Sequence, residues 1–147
     1  MLHGINPNLS PDLLYILAKM GHGDQVGIVD QNFPAFSVAN KCVIKEPLFL
    51  TKLDAPKTIE LITTVMPLDA FFKYGALRME IDNLPKEMGE VHHQVWKLLN
   101  KIKPEGTNLS SIDRQNFYSV AKKCFAIIQT AETRPFGCFI LRKGVIF

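Results

Sequence analysis

The stretch MGHGDQVGIVDQNFPAFS, residues 20–37, sets His22 between Gly21 and Gly23 and places Asp30 eight positions further on. Histidine is the side chain whose unperturbed pKa, about 6.5, lets it give and take protons near neutrality. Asp30 ends the apolar run VGIVD, where open α/β sheets hold their ligands, and a carboxylate there can accept hydrogen bonds from hydroxyl groups. Both residues also have plain structural readings. A histidine just past a helix end can cap carbonyls, and a turn aspartate can bind the backbone of Asn32 and Phe33. Arg114 is a third candidate, because it follows the helix cap Asp113 in a first turn, where the helix dipole disfavours a cation. Holding a ligand or an acid would account for it.

Other motifs carry less. GHGDQVG spells G-x-G-x-x-x-G, but a helix precedes the glycines and a strand follows, the reverse of a dinucleotide-binding turn. His92 and His93 are adjacent on an amphipathic helix, point in different directions and read as solvated. His3 has no discernible partner. Met20, Phe117, Phe125 and Phe139 read as core.

The elements that must position these residues alternate between helix and strand. Ser10-Pro11-Asp12 starts a helix with a serine cap, a proline that has no N–H to lose, and an acid in the first turn. Leu13, Leu14, Leu17 and Met20 continue it at helical spacing until Gly21. Residues 26–30 and 41–45 read as strands, with a turn at Asn32-Phe33-Pro34. Asp54-Ala55-Pro56 opens a second helix that Pro67 closes. A strand is expected over 75–82, a third helix over 85–102 and a fourth after the Asp113 cap. The last strands are AIIQTA and FGCFILRKGVIF, joined by ETRP; the latter is apolar enough to need cover on both faces or a partner subunit. This order predicts one α/β domain over residues 1–147, a central β-sheet with flanking helices in two or three layers.

Composition narrows the function classes. The chain has 147 residues, 47% hydrophobic and 21% charged, as in ordinary globular domains. A net charge of +3, with basic residues adjacent only in pairs, provides no footprint for nucleic acid. No apolar run approaches the ~20 residues that span a bilayer, and the N-terminus lacks a signal-peptide pattern. Three widely spaced cysteines suit a reducing compartment, so a cytoplasmic protein is expected. No Cys/His cluster has metal-ligand spacing, so no metal is expected.

Six segments in order, HGINPNLSPDLL, MGHGD (20–24), DQNFPAFS (30–37), MPLD (66–69), DRQNFYSVAKKCFAI (113–127) and GCFILRKGV (137–145), resemble the L-fucose mutarotase and D-ribose pyranase family. GHGD and DQNFP fit the fucose branch, whereas ribose pyranases more usually carry threonine after the histidine and glycine-leucine before the proline. The resemblance implies that family's α/β fold and a cofactor-free isomerase interconverting the anomers of a free monosaccharide, L-fucose favoured. It also implies a ring-shaped homo-oligomer, a decamer favoured and a dimer the alternative, with sites near subunit boundaries. His22 matches the family's catalytic histidine, and Asp30 and Arg114 match its sugar-binding residues. One position departs from the pattern. Where the family usually reads Tyr-Gly-Asn, this chain reads Phe136-Gly137-Cys138, so a phenolic hydroxyl and an amide are replaced. Phe136 can still stack on an apolar sugar face, and the Gly137 and Cys138 backbone can still hydrogen-bond. D-ribose pyranase activity and non-catalytic monosaccharide binding are the alternatives.

Overall fold

The computed structural model describes residues 2–147. Six strands form one mixed sheet: β1 (Gln25–Val29), β2 (Leu48–Leu50), β3 (Ala76–Met79), β4 (Leu109–Ile112), β5 (Ala126–Thr130) and β6 (Phe139–Arg142), in the order β2-β5-β1-β6-β3-β4. Five helices connect them: α1 (Pro11–Lys19), α2 (Ala35–Ala39), α3 (Ala55–Thr63), α4 (Glu90–Ile102) and α5 (Arg114–Ala121). β1 is parallel to β5, β5 to β2 and β3 to β4, while β6 runs antiparallel to both β1 and β3. Only β6 opposes the rest. The C-terminal ends of β1 to β5 therefore share one end of the sheet with the start of β6. The starts of β1 and β3 share the opposite end with the close of β6.

The period-2 pleat divides the core in two. Val26, Ile28, Ala126, Ile128, Phe139 and Leu141 face one layer, packed by Leu13 and Leu17 of α1, Ile59 and Ile62 of α3, and Val95 and Leu99 of α4. Leu77, Met79, Ile127 and Ile140 face the other layer, packed by Val38 of α2 and by Phe117 and Ala121 of α5. The result is a three-layer α/β sandwich. Side-chain caps begin three helices: Ser10 accepts from Leu13 N–H, Asp54 from Lys57 N–H and Asp113 from Asn116 N–H.

Several expectations need correction. Residues 41–45 form no strand: Val43 is 64% exposed, and the Cys42 thiol donates instead to carbonyls at the ends of α2 and α5. The strand on that edge is β2, three residues long, and α2, β2 and β4 carry too few residues to show a periodicity. α4 begins at Glu90 rather than 85, because Gly89 is its cap and Asn83 turns the preceding loop with φ +63°. The last strand spans only Phe139–Arg142; β1 and β3 flank it, and it has the cover on both faces that its apolar run was expected to need, Phe139 and Leu141 packing into one layer and Ile140 into the other. Phe125 is only partly buried. No helix is long and apolar enough to cross a membrane.

Candidate active site

The shared end of the sheet gathers most of the expected residues. Asp30 follows β1, Arg114 follows β4, Phe136 and Cys138 precede β6, and together with Asn32, Phe33, Met79, Tyr118 and Pro135 they line a cavity of about 170 Å³. That is below the range for drug-sized ligands and suits a smaller molecule. Asp30 is buried; its Oδ1 accepts the Asn32 N–H at 3.0 Å, and its own N–H donates to Cys138 Sγ at 3.4 Å. Burial pushes its carboxyl above the ordinary value, opposed by hydrogen bonds from the Cys138 thiol and from the Asn32 and Phe33 N–H groups, with Glu132 adding to the rise. A carboxylate so desolvated gains from each further donor, such as a ligand hydroxyl. The turn-aspartate reading is thus correct as structure, and Asp30 also borders the cavity.

Arg114 explains its unfavourable first-turn position. Its Nε donates to both oxygens of Asp82 at 3.1 Å, its Nη2 lies 3.0 Å from Asp82 Oδ2, and its guanidinium stands 6.0 Å from the Tyr118 ring centre. The wall contributed by Phe33, Met79, Pro135 and Phe136 is apolar. Gly137 is not on it. A Cβ there would come within 2.6 Å of the Glu132 side chain and 3.0 Å of the Arg134 carbonyl oxygen, so this glycine permits close packing behind the wall.

His22 is not in this cavity. It precedes β1, and that strand alone separates it from Asp30 by roughly 13 Å, at ~3.3 Å for each of the four steps from Gln25 to Val29. Its turn is firmly held. Lys143 Nζ donates to the Leu17 and Met20 carbonyls, Gly23 N–H donates to the Lys143 carbonyl at 2.9 Å, and Gly21 N–H donates to Asp24 Oδ2 at 2.7 Å. Gly23 has φ +86°, and a Cβ would sit 3.0 Å from the Arg142 guanidinium, so only glycine serves there.

Sequence reading missed the partner of His22. Asp69 is 1% exposed; its Oδ1 lies 3.2 Å from His22 Nε2 and accepts the Phe71 N–H at 3.1 Å, while its Oδ2 accepts from Arg142 Nε at 3.1 Å. Burial pushes its carboxyl up, but the hydrogen bonds from Phe71 N–H, His22 and Arg142 outweigh burial and hold it below the ordinary value. An ionised carboxylate only accepts, so the His22 nitrogen facing Asp69, Nε2, carries a proton, and Nδ1 is the ring nitrogen outside this bond. The His22 side chain is 49% exposed, with Phe71 against its edge at 6.0 Å. The signal for Asp69 was its place in MPLD, an acid closing an apolar segment. His92 also departs from expectation: it is fully buried rather than solvated. Among the described residues, no three His, Cys, Asp or Glu side chains come together to hold a metal ion.

Residues 3–146 match the RbsD / FucU transport protein family. The chain belongs to that family. It is 39% identical to the fucose mutarotase of Homo sapiens over 148 residues, covering 99% of this chain and 94% of that protein. To the L-fucose mutarotase of Histophilus somni (strain 2336) it is 35% identical over 151 residues, covering 99% and 97%. The crystal structure of the fucose mutarotase from Streptococcus pneumoniae in complex with L-fucose superposes with a TM-score of 0.87 at 29% identity, covering 99% of this chain and all of that one.

Proposed function

We propose that this protein is a cofactor-free isomerase that interconverts the α and β anomers of L-fucose. The observation that carries the reading is the cavity itself. A buried carboxylate and an arginine meet an aromatic and sulfur wall in about 170 Å³, within a chain similar end to end to fucose mutarotases. The carboxylate and guanidinium suit sugar hydroxyls, and the apolar wall suits a carbon face of the ring.

Mutarotation needs no redox centre and no covalent nucleophile. A base takes the proton of the anomeric hydroxyl while the bond from C1 to the ring oxygen breaks, and an acid protonates that oxygen. The open-chain aldehyde turns about the bond to C2, and closure reverses both transfers. His22 Nδ1 is the proton-transfer atom in this reading, Asp69 steadies the imidazolium that forms, and Asp30 and Arg114 hold hydroxyls. Phe136 and Cys138 shape the wall, and Gly137 supports it from behind.

His22 and Asp30 stand at opposite ends of β1, so this reading needs a second copy of the chain to bring His22 to the cavity. Such a site belongs to a homo-oligomer, and a head-to-tail interface that closes into a ring fits it, with a decamer favoured. Three free, buried cysteines fit a cytoplasmic setting. Saturation-transfer NMR between L-fucose anomers tests the function. Wild type accelerates exchange, and folded His22→Asn loses about 10²-fold or more of that acceleration, the scale of a lost acid–base group. Undiminished exchange in folded His22→Asn would make His22 a turn residue only.

A further inference from the structure

Phe136 holds a backbone conformation that its own side chain disfavours. Its φ is +59°, in the left-handed region that bulky residues rarely enter. Such conformations persist only where neighbouring contacts over-determine them. Two hydrogen bonds converge on the Phe136 carbonyl oxygen. One is local, from Cys138 N–H at 2.8 Å. The other crosses from the helix layer, from His92 Nε2 on α4, also at 2.8 Å.

The remaining ring nitrogen is committed as well, because Gly89 N–H donates to His92 Nδ1 at 3.0 Å at the start of α4. With Nδ1 accepting and Nε2 facing a carbonyl, His92 is neutral with its proton on Nε2. Its surroundings preserve that state. The ring is fully buried with its edge against Phe139, and burial, Arg78 of β3 and neighbouring His93 hold its pKa below the ordinary histidine value, against the pull of the Phe136 carbonyl. Capping α4 requires only the Nδ1 acceptor. The Nε2 bond adds nothing to that cap. It reaches instead a segment whose next residues touch the cavity: Cys138 Sγ accepts from Asp30 N–H, and the Cys138 carbonyl accepts from Met79 N–H at 3.0 Å. Asp30, Met79, Phe136 and Cys138 all line that cavity.

We propose that His92 is a positioning residue for the sugar site: it ties the start of α4 to the Phe136 carbonyl and thereby fixes the wall formed by Phe136 and Cys138. The proposal rests on the reading of this cavity as the sugar site. Two variants separate the two bonds of the ring. In His92→Asn an amide oxygen replaces Nδ1 and keeps the Gly89 cap, but the side chain ends short of Phe136. In His92→Gln an amide N–H reaches the place of Nε2–H. For each variant we would measure L-fucose anomer exchange across sugar concentrations, urea stability, and amide hydrogen exchange at Gly137 and Cys138 without sugar.

His92→Asn is expected to raise the half-saturating L-fucose concentration about two- to tenfold, the scale of one neutral hydrogen bond, with a much smaller change in maximal rate. Amide exchange at Gly137 and Cys138 speeds up in the same variant, and His92→Gln restores both readouts. Unchanged half-saturation and unchanged amide exchange in His92→Asn would overturn the proposal. So would a loss that follows urea stability equally in both variants, which would mark a merely structural histidine. If wild type neither binds L-fucose nor speeds its exchange, the sugar reading fails by itself. Amide exchange then decides the strut, with acceleration in His92→Asn but not in His92→Gln supporting it and no acceleration overturning it.

Discussion

Asp69→Asn tests whether His22 works as half of a dyad. The carboxylate serves three donors: His22 Nε2–H and Phe71 N–H on Oδ1, and Arg142 Nε–H on Oδ2. An amide oxygen can keep the two bonds at Oδ1, but the amide NH₂ then faces the Arg142 donor. One charge-assisted bond is lost, so stability should fall by about 1.5–3 kcal/mol. The effect on rate comes from the imidazolium formed during proton transfer, which would no longer face a negative charge 3.2 Å away. That attraction is about 1 kcal/mol at the dielectric constant of water and about 5 kcal/mol at the effective value near a protein surface. With His22 half exposed, about 2–3 kcal/mol is the working value, a loss of roughly 30- to 150-fold in anomer exchange. Saturation-transfer NMR with L-fucose measures the rate, and urea unfolding the stability. The variant should also resist acid better relative to its own neutral-pH stability. Asp69 binds its proton more weakly folded than unfolded, so its contribution is complete above the ordinary carboxylate range and is lost as pH falls through the lower folded value. A folded Asp69→Asn protein exchanging anomers at the wild-type rate would refute the dyad.

Three further outcomes follow from the same geometry. Arg114→Ala should leave stability nearly unchanged, since its ion pair with Asp82 is solvent-exposed, but should raise half-saturating L-fucose about tenfold or more in NMR titrations; a fall in maximal rate alone would contradict a binding role. Phe136→Tyr should keep urea stability within about 0.5 kcal/mol and preserve or raise exchange, because the ring borders the cavity; a tenfold loss would count against the family alignment at this position. Asp30→Asn and His22→Asn subunits, dissociated and mixed in equal amounts, should regain about one intact site in four if each site joins two copies of the chain. No recovery in light-scattering-verified mixed oligomers would confine each site to one subunit.

Much of the scaffold was legible because its signals are local. Ser10, Asp54 and Asp113 cap the helices they were expected to cap, and the apolar runs at 26–30 and 126–130 are central strands. Asp30, Arg114, Phe136 and Cys138 do share one cavity, which follows from three strand ends meeting at one end of the sheet. Arg114 was suspected for a physical reason, a cation where the helix dipole opposes one, and Asp82 supplies the explanation. The short elements α2, β2 and β4 escaped because three to five residues cannot display a period.

The residues that escaped act through partners distant in sequence. Asp69 lies 47 positions from His22 and 73 from Arg142, and an acid after Pro67-Leu68 resembles many other turn aspartates. His92 looked solvated because adjacent helical residues point apart. The two directions have opposite fates here: His93 is exposed, and His92 takes the inward one. A histidine three residues after Gly89 was readable as a capping acceptor, since its Nδ1 stands where the acidic or amide oxygen of a capping box would stand. Its second bond, to Phe136, was beyond any local rule, because it depends on β6 lying between β1 and β3 under α4. The single antiparallel strand in the sheet thus does two things. It carries the start of its own segment, Phe136 and Cys138, back to the end where Asp30 emerges, and it delivers Arg142 to the opposite end beside Asp69 and His22. Reversing one strand equips both ends of the sheet, while β1, with His22 before it and Asp30 after it, keeps the two halves of the proposed chemistry apart within one chain.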